Sequence, residues 1–550
     1  MTAPVSIVGG RPWHLWLVRS LFLLVLTPEV VHASCEVGTA NECKKAVPAP
    51  GTNLAGEGYD IVRLARTGAY PIDMHTWRRR DGTCTLCRNV LMKGAAQRLP
   101  RAAVDWRVRQ ECQRQLRSAL YESDAELAQE GTQLVDRSWS AGLDIHPNPH
   151  VSVKASVAGS KSKMAQFARQ RSSSDRYSFA SQSFRCKFYE YHLGHRPPLS
   201  LQFRKLLWTL PRQLAASTRF FYERFLRTFG THYIRGVQLG GHYRDVTAMR
   251  TCKVASERQT VDEVKDCLKI EAEAKVQEQE ANAKYENCQE AKKKLAGKRS
   301  FHEEYKDRVT EMEGGEAVAG LDLLFSENPN DFSGWVGSLA SHPGVIYHVL
   351  APLHLLVRRA DPRHGNLRTA ISQYIVRSDE GLNCTRRSCP QGARADPRDR
   401  CSCRCSEDSR VDKQCCSKGK GWAKLSVVVR RGQDLWGDYS GGTDAYVKVS
   451  YGKLKASTGV VSNNNNPKWD VTLDLGDLQV EQGLSLRLEV WDRDNGFDDD
   501  LLGSCEKPPA SGRHPHVCYF SYGSLTFDLD LVCGPHLGGA TCHDYVAQPG

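Results

Sequence analysis

Tyr-Glu-Arg-Phe-Leu-Arg-Thr-Phe-Gly-Thr-His-Tyr, residues 222–233, is the stretch from which the rest of the chain can be read. Its apolar spacing predicts an amphipathic helix over residues 219–228, with Phe220, Phe221 and Phe225 packed inward. Gly230 stops that helix and a strand starts at Thr231. Further along, Gly240-Gly241 interrupts the strand. Paired glycines in a strand mark a bulge, a bend or a close approach of two backbones. Taken alone, a helix, turn and strand of this kind could belong to any globular domain.

The chain has 550 residues, enough for roughly two to four domains. Lys and Arg number 75 against 63 Asp and Glu, a formal charge of +12. Such an excess suits an acidic membrane surface or nucleic acid. Here it is spread along the chain rather than run together, so no nucleic-acid partner is expected. Arg11, His14 and Arg19 precede the apolar run Leu21–Leu26, and Val31-His32-Ala33 has the form of a cleavage site. Residues 1–33 therefore read as a secretory signal and are excluded from fold reasoning. All 20 cysteines follow it, which in an exported chain points to a disulfide framework. Past the leader, no apolar run approaches the ~20 residues a membrane helix needs; Val345–Val357 is broken by His348, Pro352 and His354.

Cys35 and Cys43 stand against Cys84 and Cys87 at a separation that suggests two nested bridges, Cys35–Cys87 and Cys43–Cys84; the C-x2-C pair could instead be half a zinc site or a redox pair. Residues 102–138 look helical. Val151, Val153, Ala155 and Val157 alternate as a half-buried strand does. A basic, serine-rich segment with Met164 and Phe167 follows, then extended structure through Phe184–Phe188; Cys112–Cys186 is a candidate bridge there. From Lys253 to Met312 the composition is that of a long helix, yet Leu268, Ile270, Ala272, Ala274 and Val276 alternate strictly with charged residues. Helix propensity and strand period disagree on the same residues, a conflict uncommon in sequences that specify one structure. One reading is a solvated helical hairpin pinned by Cys267–Cys288. The other is a segment that is helical in solution and becomes an amphipathic hairpin in lipid, where a spanning strand needs only ~9–11 alternating residues. A helix is expected near Asn366–Val376.

Seven cysteines then crowd between Cys384 and Cys416 in an apolar-poor segment that only bridges could hold. Because the count is odd, Cys415 or Cys416 must reach elsewhere, with Cys252 the candidate, written Cys252–Cys416. The sequon Asn383-Cys-Thr385 lies at its edge. From Trp422 onward, about eight alternating runs predict a β-sandwich, and the bridges implied near its end are Cys505–Cys518 and Cys533–Cys542. Carboxylates gather at its strand ends: Asp438 and Asp444, then Asp492, Asp494, Asp498, Asp499 and Asp500. Brought together they would repel unless a hard cation neutralised them, and calcium takes 6–8 oxygens from flexible loops.

These motifs carry resemblances. Y-x6-F-G-T-H-Y followed by G-G (Tyr222, Phe229, Gly230, Thr231, His232, Tyr233, Gly240, Gly241) resembles the signature of the membrane-attack-complex/perforin family. The cysteine cluster resembles an epidermal-growth-factor-like module, which implies Cys384–Cys401, Cys389–Cys403 and Cys405–Cys415. Trp436-Gly437-Asp438…Thr443-Asp444, Asn463 and Trp491-Asp492-Arg-Asp494…Asp498-Asp499-Asp500 look like the calcium loops of a C2 domain. The implied fold is α+β: a bent antiparallel sheet like that of the cholesterol-dependent cytolysins, flanked by helical clusters, then the small module and an all-β C2 sandwich. The implied boundaries are 1–33, 34–378, 379–418 and 419–550. The resemblance implies a secreted lytic protein, stored in cytotoxic granules, that docks on phospholipid through Ca2+ and assembles into a homo-oligomeric ring or arc. It then refolds residues 157–186 and 254–310 into transmembrane hairpins and inserts into the target-cell membrane. Gly437, Asp438, Asp444, Asn463, Asp492, Asp494, Asp498, Asp499 and Asp500 would hold calcium, with Trp436, Tyr439 and Phe497 at the loop tips. Gly240-Gly241 would be the hinge and Arg224 an oligomer contact, although its expected acidic partner falls at Ala351. No G-x-S-x-G elbow occurs, and His302-Glu303-Glu304-Tyr305-Lys306 departs from H-E-x-x-H at its last position, so no enzyme is expected.

Overall fold

The computed structural model describes residues 35–124, 126–127, 135, 138–145, 163–276, 283–293, 300–316, 323–326, 328, 330–377, 389, 393–395, 403–437, 441–494 and 498–548. The leader, the alternating run Val151–Val157, Asn383, the Cys384–Cys401 pair, Asp438, Tyr439 and Phe497 lie outside them.

The larger part is organised by two long neighbouring strands. Ala103–Cys112 (β1) and Arg117–Tyr121 (β2) pair with Tyr177–Leu193 (β3), which pairs with His232–Arg250 (β4). Arg308–Glu313 (β5) and Gly344–Pro352 (β6) pair with the other edge of β4. Strands β3 and β4 have 17 and 19 residues and stay antiparallel from Gly236↔His192 to Arg250↔Tyr177. That is about three times an ordinary strand. Residues 124 and 126–127 are helical, but the helical expectation for residues 102–138 fails over β1 and β2. Pairing with β3 overrides the local preference there.

The helix before β4 spans Arg219–Phe229 (α1), and its buried stripe is Tyr222, Phe225, Leu226 and Phe229. Phe220 and Phe221, expected inside, are 57% and 49% exposed. The true stripe follows the i, i+3, i+4, i+7 spacing from Tyr222, whose hydroxyl donates to the Pro211 carbonyl at 2.6 Å. Gly230 has φ 77°, and a Cβ there would lie 2.4 Å from the Tyr59 carbonyl oxygen, so only glycine lets the helix end against the short strand Gly58–Asp60.

Strand β4 is not interrupted at Gly240-Gly241. It runs through with a bulge between Leu239 and Gly240. A Cβ on Gly240 would meet the Cys186 carbonyl oxygen at 1.9 Å, and one on Gly241 would enter the side chains of Leu339 and Trp335. Gly314 and Gly344 close the same crossing, each with a virtual Cβ within 2.3 Å of a glycine backbone. At the bulge, glycines of three segments stack on one another.

Two helical clusters hang from the strand ends. Lys163–Ser172 (α2), just before β3, buries Met164, Phe167 and Ala168 against Tyr177, Phe179, Val246 and Ala248. After β4 come Thr251–Ser256 (α3), Val261–Val276 (α4) and Ala283–Lys293 (α5), gathered around Val264, Cys267, Leu268 and Phe301. The alternating residues therefore lie in a helix here. Leu268 and Ile270 enter this small core while Ala272 faces the main one.

Beyond the cysteine module stands a sandwich of two four-stranded sheets. Its strands are Trp422–Gln433 (β7), Ala445–Tyr451 (β8), Leu454–Ser457 (β9), Lys468–Gln479 (β10), Leu486–Asp492 (β11), Asp500–Lys507 (β12), Gly512–Phe520 (β13) and Gly523–Cys533 (β14). The sheet orders are β10-β7-β14-β13 and β9-β8-β11-β12. Leu425, Val427 and Val429 meet Val447, Val449, Leu488 and Val490 across the core. Disulfides join Cys35–Cys87, Cys43–Cys84, Cys112–Cys186, Cys252–Cys416, Cys267–Cys288, Cys389–Cys403, Cys405–Cys415, Cys505–Cys518 and Cys533–Cys542. Cys252–Cys416 ties the start of the second cluster to the cysteine module.

Candidate functional site

The acidic loops meet at one end of the sandwich because strand register puts them there. Ala445 pairs with Asp492, and Asp492 pairs with Asp500, so the ends of three strands stand side by side. Asp492 is buried, and its Oδ1 accepts the Asp444 amide at 2.7 Å. Asp444 in turn accepts the Asn463 amide at 2.7 Å through its own Oδ1. A Cβ on Gly437 would fall 1.9 Å from Asp492 Oδ2, so that glycine is the gap into which the carboxylate fits. Thr443, part of the loop motif but given no role from the sequence, holds the first loop: its buried hydroxyl donates to the Leu435 carbonyl and accepts the Gly437 amide. Asn463 sits at φ 54°, the left-handed region an asparagine tolerates.

The other carboxylates are placed differently. Asp499 receives the Tyr446 hydroxyl at 2.5 Å, which holds it against β8. The Tyr446 hydroxyl is pushed above its ordinary pKa by burial and by that carboxylate. Asp498 and Asp500 are exposed, and Asp494 is half-buried. Among the described residues no three acidic, histidine or cysteine side chains are already gathered as a metal would hold them. Yet Gly437, Asp444, Asn463 and Asp492 are brought into contact, and the donors are all oxygens on separate loops. That set fits a hard cation such as calcium. Trp436 is 43% exposed at the same end.

The signature residues are a joint, not a surface. Tyr222, Phe229, Thr231 and His232 are 0% exposed and Tyr233 is 6% exposed. His232 Nε2 lies 2.9 Å from the Trp139 carbonyl and Nδ1 lies 2.7 Å from the Thr231 hydroxyl. A carbonyl can only accept, so the proton is on Nε2 and the hydroxyl donates to Nδ1. Burial drives the His232 pKa down to about 4 and that of His354 likewise to about 4, in His354 with the help of His364 nearby. Arg224 projects into solvent from α1, whereas Ala351 is buried opposite Tyr233 in the sheet. An acidic side chain at position 351 would have to enter the core.

The helical clusters are held closed by polar contacts as well as their small cores. Glu271 accepts the amides of Phe301 and His302 at 2.9 Å each, folding the second cluster back on itself. Arg171 of α2 pairs with Asp307 at 2.7 Å, tying one cluster to the other. Two long strands that end in closed helical clusters, followed by a sandwich with an acidic loop end, define the class of architecture.

The comparisons agree. The MAC/Perforin domain model matches residues 48–379, and the C2 domain model matches residues 423–520. Perforin-1 of Homo sapiens is 42% identical over 94% of this chain and 93% of that protein. Perforin-1 of Mus musculus is 41% identical over 97% of each, and that of Rattus norvegicus 40% over 96% of each. The chain belongs to the MAC/Perforin family, and it carries a C2 domain.

Proposed function

We propose that this chain is a pore-forming cytolytic protein that docks on phospholipid through calcium. It then assembles into a homo-oligomeric ring or arc and converts its two helical clusters into membrane-spanning β-hairpins. The observation that carries the reading is geometric: β3 and β4 end level, at Tyr177 and Arg250, where the clusters begin. A cluster that straightened would add residues to a ladder already in register. The alternating pattern of Leu268, Ile270 and Ala272 would then place every apolar side chain on one face. Gly240 and Gly241 are the hinge about which the sheet opens, and Arg224 is a contact between neighbouring subunits. Gly437, Asp438, Asp444, Asn463, Asp492, Asp494, Asp498, Asp499 and Asp500 supply the calcium loops; bound calcium would neutralise carboxylates that otherwise repel lipid phosphates. Trp436, Tyr439 and Phe497 reach the bilayer. The implied life cycle is export, granule storage and release onto a target cell, with no enzymatic step.

Dye release from phosphatidylcholine liposomes at neutral pH, with and without calcium, tests the reading. Wild type should release small and large dyes alike only with calcium, and Asp492→Ala should release neither. Calcium-dependent binding without any leakage would instead leave a non-lytic lipid-binding or adhesion protein.

A further inference from the structure

The sandwich presents a fourth surface at its acidic-loop end, one that carries no carboxylate. The hairpin tip between β13 and β14 reads Cys518-Tyr-Phe-Ser-Tyr-Gly-Ser524, with no charged residue. Register fixes its position: Ser524 pairs with Tyr519 on one side and with Gln433, the last residue of β7, on the other. The first acidic loop leaves from that same Gln433. Gly523, at φ 99°, is pressed against this loop, and a Cβ on it would lie 2.5 and 2.6 Å from the carbonyl oxygens of Gln433 and Asp434. On the opposite side the Phe520 ring covers Gly503 of β12, and Cys505–Cys518 bonds the edge strands of the two sheets together. The tip is therefore a rigid part of the loop end.

Phe520 packs against the core, but the two tyrosines do not. Tyr519 is 83% exposed, Tyr522 47% and the neighbouring Leu501 45%. Tyr522 meets Trp436 with ring centroids 5.7 Å apart, so the tip and the first loop form one aromatic rim. We infer that Tyr519 and Tyr522 form a fourth membrane-contacting element, lodged with Trp436 in the headgroup zone of a phospholipid bilayer. This deepens the proposed docking and rests on it. Lipid is the occupant because the rim is continuous with the loop end that docks. Rings with a polar hydroxyl favour the water–hydrocarbon boundary, and an uncharged, fixed tip loses little freedom on entering it.

The test is sedimentation of the full chain with phosphatidylcholine vesicles at saturating calcium, comparing wild type, Tyr519→Ser, Tyr522→Ser, Tyr522→Trp and Asp492→Ala. Each serine variant should weaken vesicle affinity about tenfold, as expected for losing one partly buried aromatic. Tyr522→Trp should retain or exceed wild-type affinity, and calcium uptake without lipid should be unchanged in all three tyrosine variants. Tyr519 is so exposed that its serine variant cannot fail through misfolding, so its result decides if Tyr522→Ser is unstable. If the serine variants bind like wild type while Asp492→Ala does not bind, the fourth contact is refuted and calcium docking stands. If Asp492→Ala also binds normally, the docking reading falls and takes this inference with it.

Discussion

The sandwich and the second helical cluster are both built from alternating sequence, and the chain resolves that alternation in opposite ways. In β7, Leu425, Val427 and Val429 alternate and lie in a strand, where a period of two puts all three into one core. In α4, Leu268, Ile270 and Ala272 alternate just as strictly and lie in a helix, where the same spacing divides them between two cores. One region obeys its pattern and the other stores it. The difference lies in what surrounds each. The sandwich closes a full apolar layer between two sheets. The cluster buries only a small satellite core and closes itself with the Cys267–Cys288 bond and the Glu271 cap. Local stability should follow burial, with the cluster at the low end, as the proposed refolding of that segment requires.

The comparison can be broken or sharpened in order of effect. Gly240→Val forces a side chain into the Cys186 carbonyl and should cost about 4 kcal/mol or more, read as lost thermal stability and lost export. Its failure to do so would mean the sheet is looser at the bulge than its geometry shows. Leu488→Ala in the sandwich and Leu268→Ala in the cluster should each cost about 2–4 kcal/mol, but in different places. Hydrogen exchange should find the first spread across the sandwich, with vesicle binding lost. The second should be confined to residues 261–293, with binding intact and dye release reached at lower temperature. Identical exchange profiles would abolish the distinction between the two regions.

Acid should strike the signature joint next. His232 is neutral in the fold with a pKa near 4 against 6.5 when unfolded, so unfolding takes up a proton between those values. Its stabilising contribution is whole above pH 6.5 and declines as pH falls toward 4, by up to about 3 kcal/mol. His232→Gln should flatten the slope of melting temperature against pH in that window whatever its effect at neutral pH; an unchanged slope would exonerate this histidine. The smallest effect is expected from Arg171→Gln. It removes a partly exposed ion pair between the clusters and should shift stability by about 1 kcal/mol or less, more at low salt than at high. The lag before dye release should shorten if that pair delays opening.

A MAC/Perforin signature followed by a C2 sandwich, and most of the disulfide pairs, were legible in the sequence, because they rest on short-range features: alternation, spacing and composition. The sequence also flagged residues 253–312 as conflicted. Only the tertiary structure decided which conformation those residues take. Propensity and period cancel locally, and the choice falls to Ala180, Met249 and Phe301, which close the small core around the helices. The strand character of 103–121 was equally hidden, since its partner β3 begins more than fifty residues later. The outward turn of Phe220 and Phe221 was hidden too: periodicity fixes the width of a buried stripe, while the neighbours of Tyr222 and Phe229 fix its rotation. The aromatic rim needed Tyr522 and Trp436 from two separate loops, and only folding brings those together.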